Sequence, residues 1–363
     1  MSAFSAFDHS MMRRALVLAE RGLFSATPNP RVGCVITQGE RVVGEAFHER
    51  TGWPHAEALA LGAAGRAARG ATVYVSLEPC NHYGKTPPCS DALIRAKVAR
   101  VVAALEDPNP KATHGGKALA AAGIRFESGL MEEEARELNV GFVSRMTRAR
   151  PWVRMKIAAT LDGRTALGEG SGANAGRSQW ITGPEARRDG HRWRARACAV
   201  LTGIGTVKAD DPRLTVREVE TPRQPLRVVV DSRLEISDRA RILEGGNVLV
   251  FCGTDQPRPV PGAEVLALPN AQGKVELPAM LQELARRGVN ELHVEAGFRL
   301  NASLVKEGCV DEYLLYLNPS FLGDTAQGML DLPAFATLEQ RPKLKLRGLE
   351  RVGDDLRILA RPV

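Results

Sequence analysis

Three residues in the first quarter of the chain have the types and spacing of a metal site. His55 belongs to the triplet His55-Ala56-Glu57, Cys80 follows Pro79, and Cys89 comes nine positions later. One imidazole and two thiolates form a zinc site with three protein ligands, which leaves a fourth coordination position for water. Because zinc lowers the pKa of its water from about 15.7 toward 7, the pattern predicts a hydrolytic centre.

Glu57 is the predicted acid–base group of this centre. It lies two residues after His55 at the start of a predicted helix, where it can reach the water without binding the metal. There it can take the water's proton and return it to a ring nitrogen and a leaving amine. Cys89 precedes another predicted helix, whose N-terminus favours a thiolate. A structural site would need a fourth protein ligand, and His82 lies only two residues from Cys80, an awkward spacing for joint ligation.

The second half of the chain has weaker indications of a nucleotide site. Gly203-Ile204-Gly205 supplies two glycines without completing the G-x-G-x-x-G pattern. In VEAGFRLNASL (294–304) a predicted strand ends, Gly297 permits close approach, and a predicted helix begins at about 298. An exposed helix N-terminus at a strand end suits a pyrophosphate. Taken alone, these features leave the presence and the absence of a phosphorylated cofactor equally open.

The elements that must position these residues alternate between strand and helix patterns. In the first half, strands are predicted over 32–37, 41–47, 72–77 and 100–105, and helices over 9–21, 55–64, 90–97, 116–122 and 131–146. In the second half, strands are predicted from Trp152 and over 200–204, 226–231, 247–251, 291–296 and 311–317, and helices over 184–196, 279–287 and 298–306. This alternation predicts two α/β domains, over 1–147 and 151–363, with the boundary at Arg148–Pro151.

Composition and charge narrow the class of protein. The 363 residues are 44% hydrophobic and 25% charged, which suits a globular protein of about two domains. No run approaches the roughly 20 apolar residues of a membrane span, and the N-terminus resembles an amphipathic helix rather than a signal peptide, so we expect a cytoplasmic location and no membrane partner.

The charged residues and cysteines narrow the expected partners further. The net charge of +7 is spread over both halves, which predicts small phosphorylated substrates rather than nucleic acid. Six cysteines in so long a chain argue against a disulfide framework. A homo-oligomer remains open.

The motifs of the first half resemble a known enzyme family. HAE, followed by the Pro79-Cys80 pair and Cys89 of LEPCNHYGKTPPC (77–89), is similar to the zinc nucleobase-deaminase signature, and DPNP (107–110) lies downstream. That signature places two residues between its cysteines, whereas eight separate Cys80 from Cys89 here. With this longer spacing, the segment resembles the pyrimidine deaminase of riboflavin biosynthesis.

The motifs of the second half resemble the reductase of the same pathway. They are MKIAATLDGRTA (155–166), SQWITGPEAR (178–187), LTGIGTVKADDPRLTVR (201–217) and VEAG (294–297). The loop EGSGANAGRS (169–178) is a local departure from the family pattern, and no motif is found over about 235–285 or after about 330.

The resemblance implies a fold and two consecutive reactions. The expected fold is a cytidine-deaminase-like α/β/α sandwich followed by a dihydrofolate-reductase-like α/β domain. The first domain would hydrolytically deaminate 2,5-diamino-6-ribosylamino-4(3H)-pyrimidinone 5′-phosphate, with one zinc per chain. The second would reduce the ribosyl group of the product to ribityl with NADPH, a step that needs chiefly orientation and a dry pocket.

The resemblance also implies residue roles. Glu57 would be catalytic, and His55, Cys80 and Cys89 would hold zinc. Substrate contacts are implied for Asn29, His48, Lys85, Asp107, Asn109, Lys156, Ser178, Arg194, Leu214, Arg217 and Glu295. Cofactor contacts are implied for Ala159, Trp180, Thr206, Asp210, Ser232, Gly297, Phe298, Arg299, Leu300, Asn301, Ala302 and Ser303.

Competing interpretations exist for several of these positions. Asn29, Asp107 and Asn109 adjoin prolines and also suit turns. Arg194 also suits a solvated helix face, and Trp180 also suits a core. For the whole chain, the alternatives are another zinc nucleobase or nucleoside deaminase with an accessory nucleotide-binding domain, or a non-catalytic zinc-stabilised binding protein.

The preference for NADPH has one partial physical reason in the sequence. Ser232 and Arg233 follow the predicted strand LRVVVD, and a hydroxyl and a guanidinium there can bind the adenosine 2′-phosphate. Asp231, next to them, would instead favour the free 2′-hydroxyl of NADH. Because strand alternation sends neighbouring side chains to opposite sides, we expect Ser232 and Arg233 to face the cofactor.

Overall fold

The computed structural model describes residues 4–84, 87–112, 114–168 and 180–363. Contacts divide the chain into two compact units, Met1–Ala149 and Arg150–Val363. Lys85, Ser178 and the loop 169–178, all singled out from the sequence, lie outside the described residues. Among the described helices, none combines the length and the apolar character needed to cross a membrane.

The first unit is built on a five-stranded sheet in the order β2-β1-β3-β4-β5. Strand β1 is antiparallel to both neighbours, and β3, β4 and β5 are parallel. The strands are β1 (Gly33–Gln38), β2 (Arg41–Phe47), β3 (Thr72–Val75), β4 (Arg100–Ala103) and β5 (Arg125–Ser128). The helices are α1 (Ala6–Glu20), α2 (Ala56–Ala64), α3 (Cys89–Ala96), α4 (Gly115–Ala121), α5 (Glu132–Leu138) and α6 (Val140–Arg148).

Two glycines let helices pack closely on this sheet. A Cβ on Gly33 of β1 would lie 2.0 Å from the Ala15 carbonyl oxygen of α1, and one on Gly44 of β2 would lie 2.3 Å from that of Ala60 in α2. No side chain fits at such distances, so both contacts require glycine. The second contact holds α2, which begins one residue after His55, directly against the sheet.

A single long helix over 131–146 was predicted, and this prediction is wrong. The structure has α5 and α6, separated at Asn139. The Asn139 side chain accepts a hydrogen bond from the Arg31 backbone N–H at 2.8 Å and donates one to the Arg31 carbonyl at 2.9 Å. Because an asparagine amide can replace a backbone partner in this way, this buried pair fixes the break between the helices beside the segment that contains Asn29.

The second unit is built on a nine-stranded sheet in the order β11-β10-β9-β8-β12-β6-β13-β16-β15. The seven strands from β11 to β13 are parallel, and the β15–β16 hairpin extends the sheet with β16 antiparallel to β13. The strands of this sheet are β6 (Trp152–Thr160), β8 (Ala199–Gly203), β9 (Leu226–Val230), β10 (Val248–Cys252), β11 (Glu264–Ala267), β12 (Glu291–Val294), β13 (Glu312–Asn318), β15 (Leu344–Val352) and β16 (Asp355–Pro362). A separate two-stranded sheet pairs β7 (Arg164–Ala166) with β14 (Gln327–Gly328).

Helices connect the parallel strands of this sheet. They are α7 (Pro184–Arg196), α8 (Ile204–Asp210), α9 (Leu277–Arg286) and α10 (Phe298–Lys306). The central strands are buried on both faces, as parallel strands covered by connecting helices must be. The carboxyl ends of β8 and β12 therefore meet at one edge, where α8 and α10 begin.

Candidate active sites

The predicted metal ligands converge in the first unit. His55 is the N-cap of α2, Cys89 is the first residue of α3, and Cys80 lies in the segment after β3. His55 Nδ1 is 3.5 Å from the Sγ atom of Cys80 and 3.3 Å from that of Cys89. Two helix starts and a post-strand loop thus bring together residues that are 34 positions apart in the sequence.

These three ligand atoms fit a tetrahedral zinc ion. With a Zn–S bond of about 2.3 Å and a Zn–N bond of about 2.0–2.1 Å, a tetrahedron separates its nitrogen and sulfur ligands by about 3.6 Å. The observed nitrogen–sulfur distances are close to that value. A hydrogen bond from Cys89 lowers the pKa of Cys80 to about 4, and the same bond raises the pKa of Cys89, so the two thiols share a proton that a divalent cation would release.

Glu57 lies beside this cluster in the first turn of α2 and is buried. Burial raises the pKa of Glu57 to about 7, and the negative charge of Cys80 adds to the effect. A carboxyl group that titrates near neutral pH can both accept and donate a proton at that pH. Glu57 therefore has the position and the environment of a proton shuttle.

His48 and Asn29 extend the site away from the metal ligands. The ring of His48 lies 5.3 Å from that of His55, centroid to centroid. Its Nδ1 donates to the Pro54 carbonyl at 3.2 Å, and its Nε2 accepts from Asn29 Nδ2 at 3.0 Å. This arrangement satisfies a neutral imidazole, and burial lowers the pKa of His48 in agreement with it.

Glu78 holds the loop that carries Asp107 and Asn109. Its carboxylate accepts the backbone N–H of Asp107 at 3.2 Å and that of Gly116 at 2.8 Å. Asp107 in turn accepts the N–H of Asn109 at 2.9 Å, as in an Asx turn. Burial raises the pKa of Asp107 to about 7. The turn interpretation and the site interpretation of this segment are therefore compatible.

A first cavity of about 260 Å³ opens over the metal ligands. Its wall includes Glu57 and the four described residues of the first unit that were predicted to contact substrate. These four are Asn29, His48, Asp107 and Asn109. Several lining residues were missed in the sequence, among them Trp53, Glu78, Phe142 and Arg145. Glu78 stood inside the quoted LEPC motif, whereas nothing in the sequence marked Arg145, which reaches the cavity from α6.

A second cavity, of about 620 Å³, lies in the second unit. It brings together eight of the residues predicted for substrate and cofactor. They are Lys156, Trp180, Arg194, Thr206, Asp210, Leu214, Arg217 and Glu295. Arg187, His191, Arg213 and Arg241 also line it and were missed. The excess of cations over carboxylates in this wall suits ligands with phosphate groups.

Glu295 and Arg194 form the central ion pair of the second cavity. Arg194 binds both carboxylate oxygens of Glu295 in a bidentate arrangement, with Nη2 2.9 Å from Oε2. Lys156 Nζ is 4.0 Å from Oε2. Burial alone would raise the pKa of Glu295, but Arg194 outweighs burial and holds it well below its usual range. The alternative interpretation, in which Arg194 lies on a solvated face of its helix, is therefore wrong.

Two histidines accompany this pair. His191 Nδ1 accepts the backbone N–H of Arg217 at 3.2 Å, and burial, together with Arg194 and Arg217, lowers the pKa of His191 to about 4. His293 is fully buried, and its Nε2 lies 3.4 Å from Glu295 Oε1. Burial lowers the pKa of His293, so both rings are neutral at physiological pH. The charge of this cavity therefore comes from its arginines, lysine and carboxylates.

Some of the residues predicted to contact the cofactor line the second cavity, and others are buried in the protein interior. Trp180 is 77% exposed, and the Arg187 guanidinium lies 4.7 Å from its ring centroid, so the core interpretation of Trp180 is wrong. A Cβ on Gly297, the N-cap of α10, would lie 3.5 Å from the Oγ1 atom of cavity-lining Thr206. The remaining members of the predicted set vary in exposure. Ala159, Asn301 and Ala302 are buried, Phe298, Leu300 and Ser303 are half-buried, and Arg299 is exposed.

The three residues weighed for cofactor choice have different environments. Asp231 is fully buried, and its Oδ2 accepts the backbone N–H of Ile236 at 2.8 Å. Ser232 Oγ accepts the N–H of Val275 at 3.2 Å. Arg233 is 81% exposed and pairs with Glu235 at 2.8 Å. The acidic side chain at this strand end thus has an internal partner, and the guanidinium faces solvent.

Comparison with known proteins matches both units. Residues 151–358 match the family model described as the RibD C-terminal domain, and residues 5–105 match the zinc-binding region of cytidine and deoxycytidylate deaminases. Riboflavin biosynthesis protein RibD of Escherichia coli (strain K12) is 44% identical, covering 96% of this chain and 98% of the relative.

Solved structures agree over nearly the whole chain. Acinetobacter baumannii RibD has a TM-score of 0.90 at 40% identity, covering 98% of this chain and 99% of that structure. A diaminohydroxyphosphoribosylaminopyrimidine deaminase/5-amino-6-(5-phosphoribosylamino)uracil reductase from Thermotoga maritima has a TM-score of 0.88 at 32% identity, with the same coverages.

Fold, site and comparisons together define a bifunctional enzyme, a zinc-dependent deaminase followed by an NADPH-dependent reductase. The chain belongs to the RibD family of riboflavin biosynthesis proteins. The expectations of a cytidine-deaminase-like sandwich, a dihydrofolate-reductase-like second domain, an enzyme and these two cofactors are confirmed.

Proposed function

We propose that residues 1–147 deaminate 2,5-diamino-6-ribosylamino-4(3H)-pyrimidinone 5′-phosphate and that residues 151–363 reduce the ribosyl group of the product to ribityl. The single observation that carries the proposal is the cluster of His55 Nδ1 with the thiols of Cys80 and Cys89 beside the buried carboxyl group of Glu57. The Thermotoga maritima relative is named for the same two activities.

In the first cavity, His55, Cys80 and Cys89 would hold zinc, which lowers the pKa of water and so supplies hydroxide at neutral pH. Glu57 accepts the water's proton and delivers it to the substrate, so that the amine leaves as ammonia and a carbonyl group replaces it. Asn29, Asp107 and Asn109 line the same cavity and offer amide and carboxylate groups for ring and ribose contacts. The roles of Lys85 and Ser178 rest on the resemblance.

In the second cavity, NADPH would supply the hydride and water the accompanying proton, and the chain would bind and orient the two ligands. The bidentate pair with Arg194 keeps Glu295 ionised and fixed, so that it can accept hydrogen bonds from ring N–H groups. Arg217 lines the same wall and suits the substrate phosphate. Trp180, Thr206 and Asp210 line the cofactor side, with the N-terminus of α10 beside Thr206 for the pyrophosphate.

We further propose a cytoplasmic location, which the need to keep two zinc-binding thiols reduced supports. A small phosphorylated pyrimidine is the expected partner.

The test uses the whole chain loaded with zinc. Ammonia release is measured with the diaminopyrimidine phosphate and, in parallel, with cytidine, and NADPH oxidation is then followed on the deaminated product. We expect ammonia only from the diaminopyrimidine and NADPH oxidation only with its deaminated product. Efficient deamination of cytidine would favour the rival deaminase with an accessory domain, and the absence of both activities would favour a zinc-stabilised binding protein.

A further inference from the structure

His191 lies on α7 and lines the second cavity with one of its ring nitrogens already in use. Its Nδ1 accepts the backbone N–H of Arg217 at 3.2 Å. A nitrogen that accepts a hydrogen bond carries no proton, so the proton of the neutral ring must lie on Nε2. Within the described part of the chain, no atom bonds Nε2, and Nε2 is not among the enclosed nitrogens that lack a partner. The Arg217 backbone therefore fixes one tautomer, whose N–H donor is accessible from the cavity.

The His191 ring stays neutral because its surroundings disfavour a second proton. Burial, followed by the positive charges of Arg194 and Arg217, lowers the pKa of His191 to about 4. The N–H of Arg217 also occupies the nitrogen that would receive that proton. At neutral pH the ring is therefore a donor of hydrogen bonds and not a source of protons. A neutral imidazole of this kind can stabilise negative charge that develops on a substrate oxygen.

Two sets of contacts place His191 beside both ends of the proposed substrate site. His191 and Arg194 are three residues apart on α7, so they share one face of the helix. Arg194 binds Glu295, the proposed partner of the pyrimidine ring, with Nη2 2.9 Å from Oε2. Arg194 Nη1 also donates to the Thr215 carbonyl at 3.1 Å, two residues before Arg217, the proposed partner of the phosphate. The ribosyl group joins ring and phosphate, so it is the part of the substrate expected at His191.

Conversion of a ribosyl group to a ribityl group requires that the sugar ring opens. The bond between C1′ and the ring oxygen O4′ breaks, its electron pair passes to O4′, and O4′ takes a proton from water to become a hydroxyl group. The hydride from NADPH supplies the two electrons that reduce C1′, and this balance is the same whether the ring opens before or during hydride transfer. A hydrogen-bond donor at O4′ stabilises the charge that this oxygen gains as the bond breaks.

We propose that His191 is a catalytic residue of the reductase domain, whose Nε2–H donates a hydrogen bond to O4′ of the ribosyl group as the sugar ring opens. This inference rests on the proposed function of the second domain. The same ring also holds the Arg217 backbone through Nδ1, and two amides separate these roles. An asparagine places its carbonyl oxygen where Nδ1 lies and no group at Nε2, whereas a glutamine places its NH2 group near Nε2 and no acceptor at Nδ1.

The experiment measures reduction of the deaminated substrate by the full-length protein and, in parallel, the affinity of that substrate for NADPH-free protein by titration calorimetry. His191→Asn should lower kcat about 10- to 150-fold, the range for loss of a hydrogen bond to a charged group, and keep the dissociation constant within about threefold of wild type. His191→Gln should keep kcat within about threefold of wild type and bind the substrate more weakly, because the Arg217 N–H loses its partner.

Arg192→Asn is the matched control. Arg192 is the next residue of α7, is exposed, and does not belong to the described wall of the cavity. The variant introduces the same side chain into the helix, so it reports any effect of asparagine on α7 itself. It should leave kcat and substrate affinity unchanged. The affinity of each variant for NADPH reports whether the second unit is folded.

Equal losses of kcat in folded His191→Asn and His191→Gln would overturn the inference, since a donor near Nε2 would then make no difference. So would a wild-type kcat in His191→Asn, or a loss in this variant that is confined to substrate affinity. Failure of the proposed function has a different signature, because wild type would then not oxidise NADPH with the deaminated substrate.

Discussion

The two sites of this chain are assembled in different ways. In the first cavity, the metal ligands and the acid–base group come from residues 55–89, with ligand atoms within 4.8 Å of one another. In the second cavity, the central ion pair joins Arg194 to Glu295, 101 positions apart, and the cavity encloses about 620 Å³ rather than 260 Å³. The first reaction needs a proton shuttle and a metal at fixed distances, whereas the second needs mainly orientation of two large ligands.

The central carboxyl groups of the two sites also differ, because their pKa values are shifted in opposite directions. Burial raises the pKa of Glu57 to about 7, which prepares a group that exchanges protons. Glu295 is also enclosed, but Arg194 keeps its pKa well below the usual range, which prepares a group that only accepts hydrogen bonds. The nature of the nearest partner, rather than burial, therefore decides which carboxyl group does chemistry and which binds.

The largest expected effect is the loss of deamination in Glu57→Gln, with reduction at the second site unaffected. Glu57→Gln should lower the rate of deamination about 10²- to 10⁴-fold, because the proton shuttle is lost while the side-chain shape is kept. Its zinc content and its reduction of pre-deaminated substrate should stay close to wild type. Ammonia release, metal analysis and NADPH oxidation on the same preparation measure all three.

Cys89→Ala is the matched contrast for this variant, since it removes a ligand and should lose most of the zinc as well as the activity. Wild-type turnover in zinc-loaded Glu57→Gln would contradict the shuttle role, and full zinc retention in Cys89→Ala would contradict the ligand set. Collapse of reduction in a folded Glu57→Gln protein would show that the two sites are coupled.

Glu295→Gln is the corresponding variant in the second site, and it should impair reduction without affecting deamination. It leaves Arg194 without its carboxylate partner and replaces one acceptor oxygen with an NH2 donor, so kcat/KM for reduction should fall about 10- to 150-fold. Deamination should not change. Glu264→Gln, which breaks an exposed pair with Arg287 at the edge strand β11, is the control and should leave reduction intact. Equal effects of the two glutamine variants would show that Glu295 has no special role.

The sequence predicted the fold best where local pattern and tertiary packing agree. The strand over 41–47 and the helices over 184–196 and 298–306 have the predicted bounds. The predicted helix over 131–146 failed because the amide of Asn139 pairs with the backbone of Arg31, which is 108 residues away. Strand β15 was not predicted, although residues 344–347 alternate between apolar and polar types; its residues are exposed along most of its length, and it joins the sheet through its pairing with β16.

The two sites also differ in how many of their residues could be predicted from the sequence. His55, Glu57, Cys80 and Cys89 were identified from residue types and spacing, because metal ligation demands particular atoms. Arg145 and His191 were not, because a cation or a ring that lines a cavity looks in sequence like any residue on a helix face. Long-range contacts decide their position, and a local pattern cannot report them.

The next prediction concerns the close contact between Gly115 and Pro79, which positions the metal ligand Cys80. A Cβ on Gly115 would lie 1.8 Å from the Pro79 carbonyl oxygen, directly before Cys80. Gly115→Ala should therefore shift this segment, lower the stability of the protein by about 1–3 kcal/mol and weaken zinc retention against a chelator. Denaturant unfolding and the rate of zinc loss measure the two effects.

Gly62→Ala is the control for this variant. Gly62 lies inside α2, and a Cβ there would meet no atom within 4 Å. This change should be neutral or stabilise the protein by about 0.5–1 kcal/mol, because alanine favours the helix more than glycine does. Similar zinc loss in both variants would mean that the contact of Gly115 with Pro79 does not hold the metal site.

The smallest expected effect concerns cofactor choice in the second site. Asp231 is fully buried and its Oδ2 accepts the Ile236 N–H, so we expect it not to reach the adenosine ribose. Ser232 accepts from Val275 through Oγ and still has its hydroxyl proton to donate, and Arg233 is exposed beside it. A hydroxyl donor and an exposed guanidinium together favour the 2′-phosphate of NADPH over the hydroxyl of NADH.

Ser232→Ala combined with Arg233→Ala should lower the ratio of kcat/KM for NADPH to that for NADH about 3- to 10-fold, the sum of one hydroxyl bond and one exposed charge. The change should come from NADPH alone, because NADH lacks the phosphate. Arg239→Ala removes an exposed charge from the same loop and should leave the ratio unchanged. A ratio unaltered by the double substitution would place the phosphate on other residues, and a wild-type preference for NADH would overturn the assignment of Ser232 and Arg233 altogether.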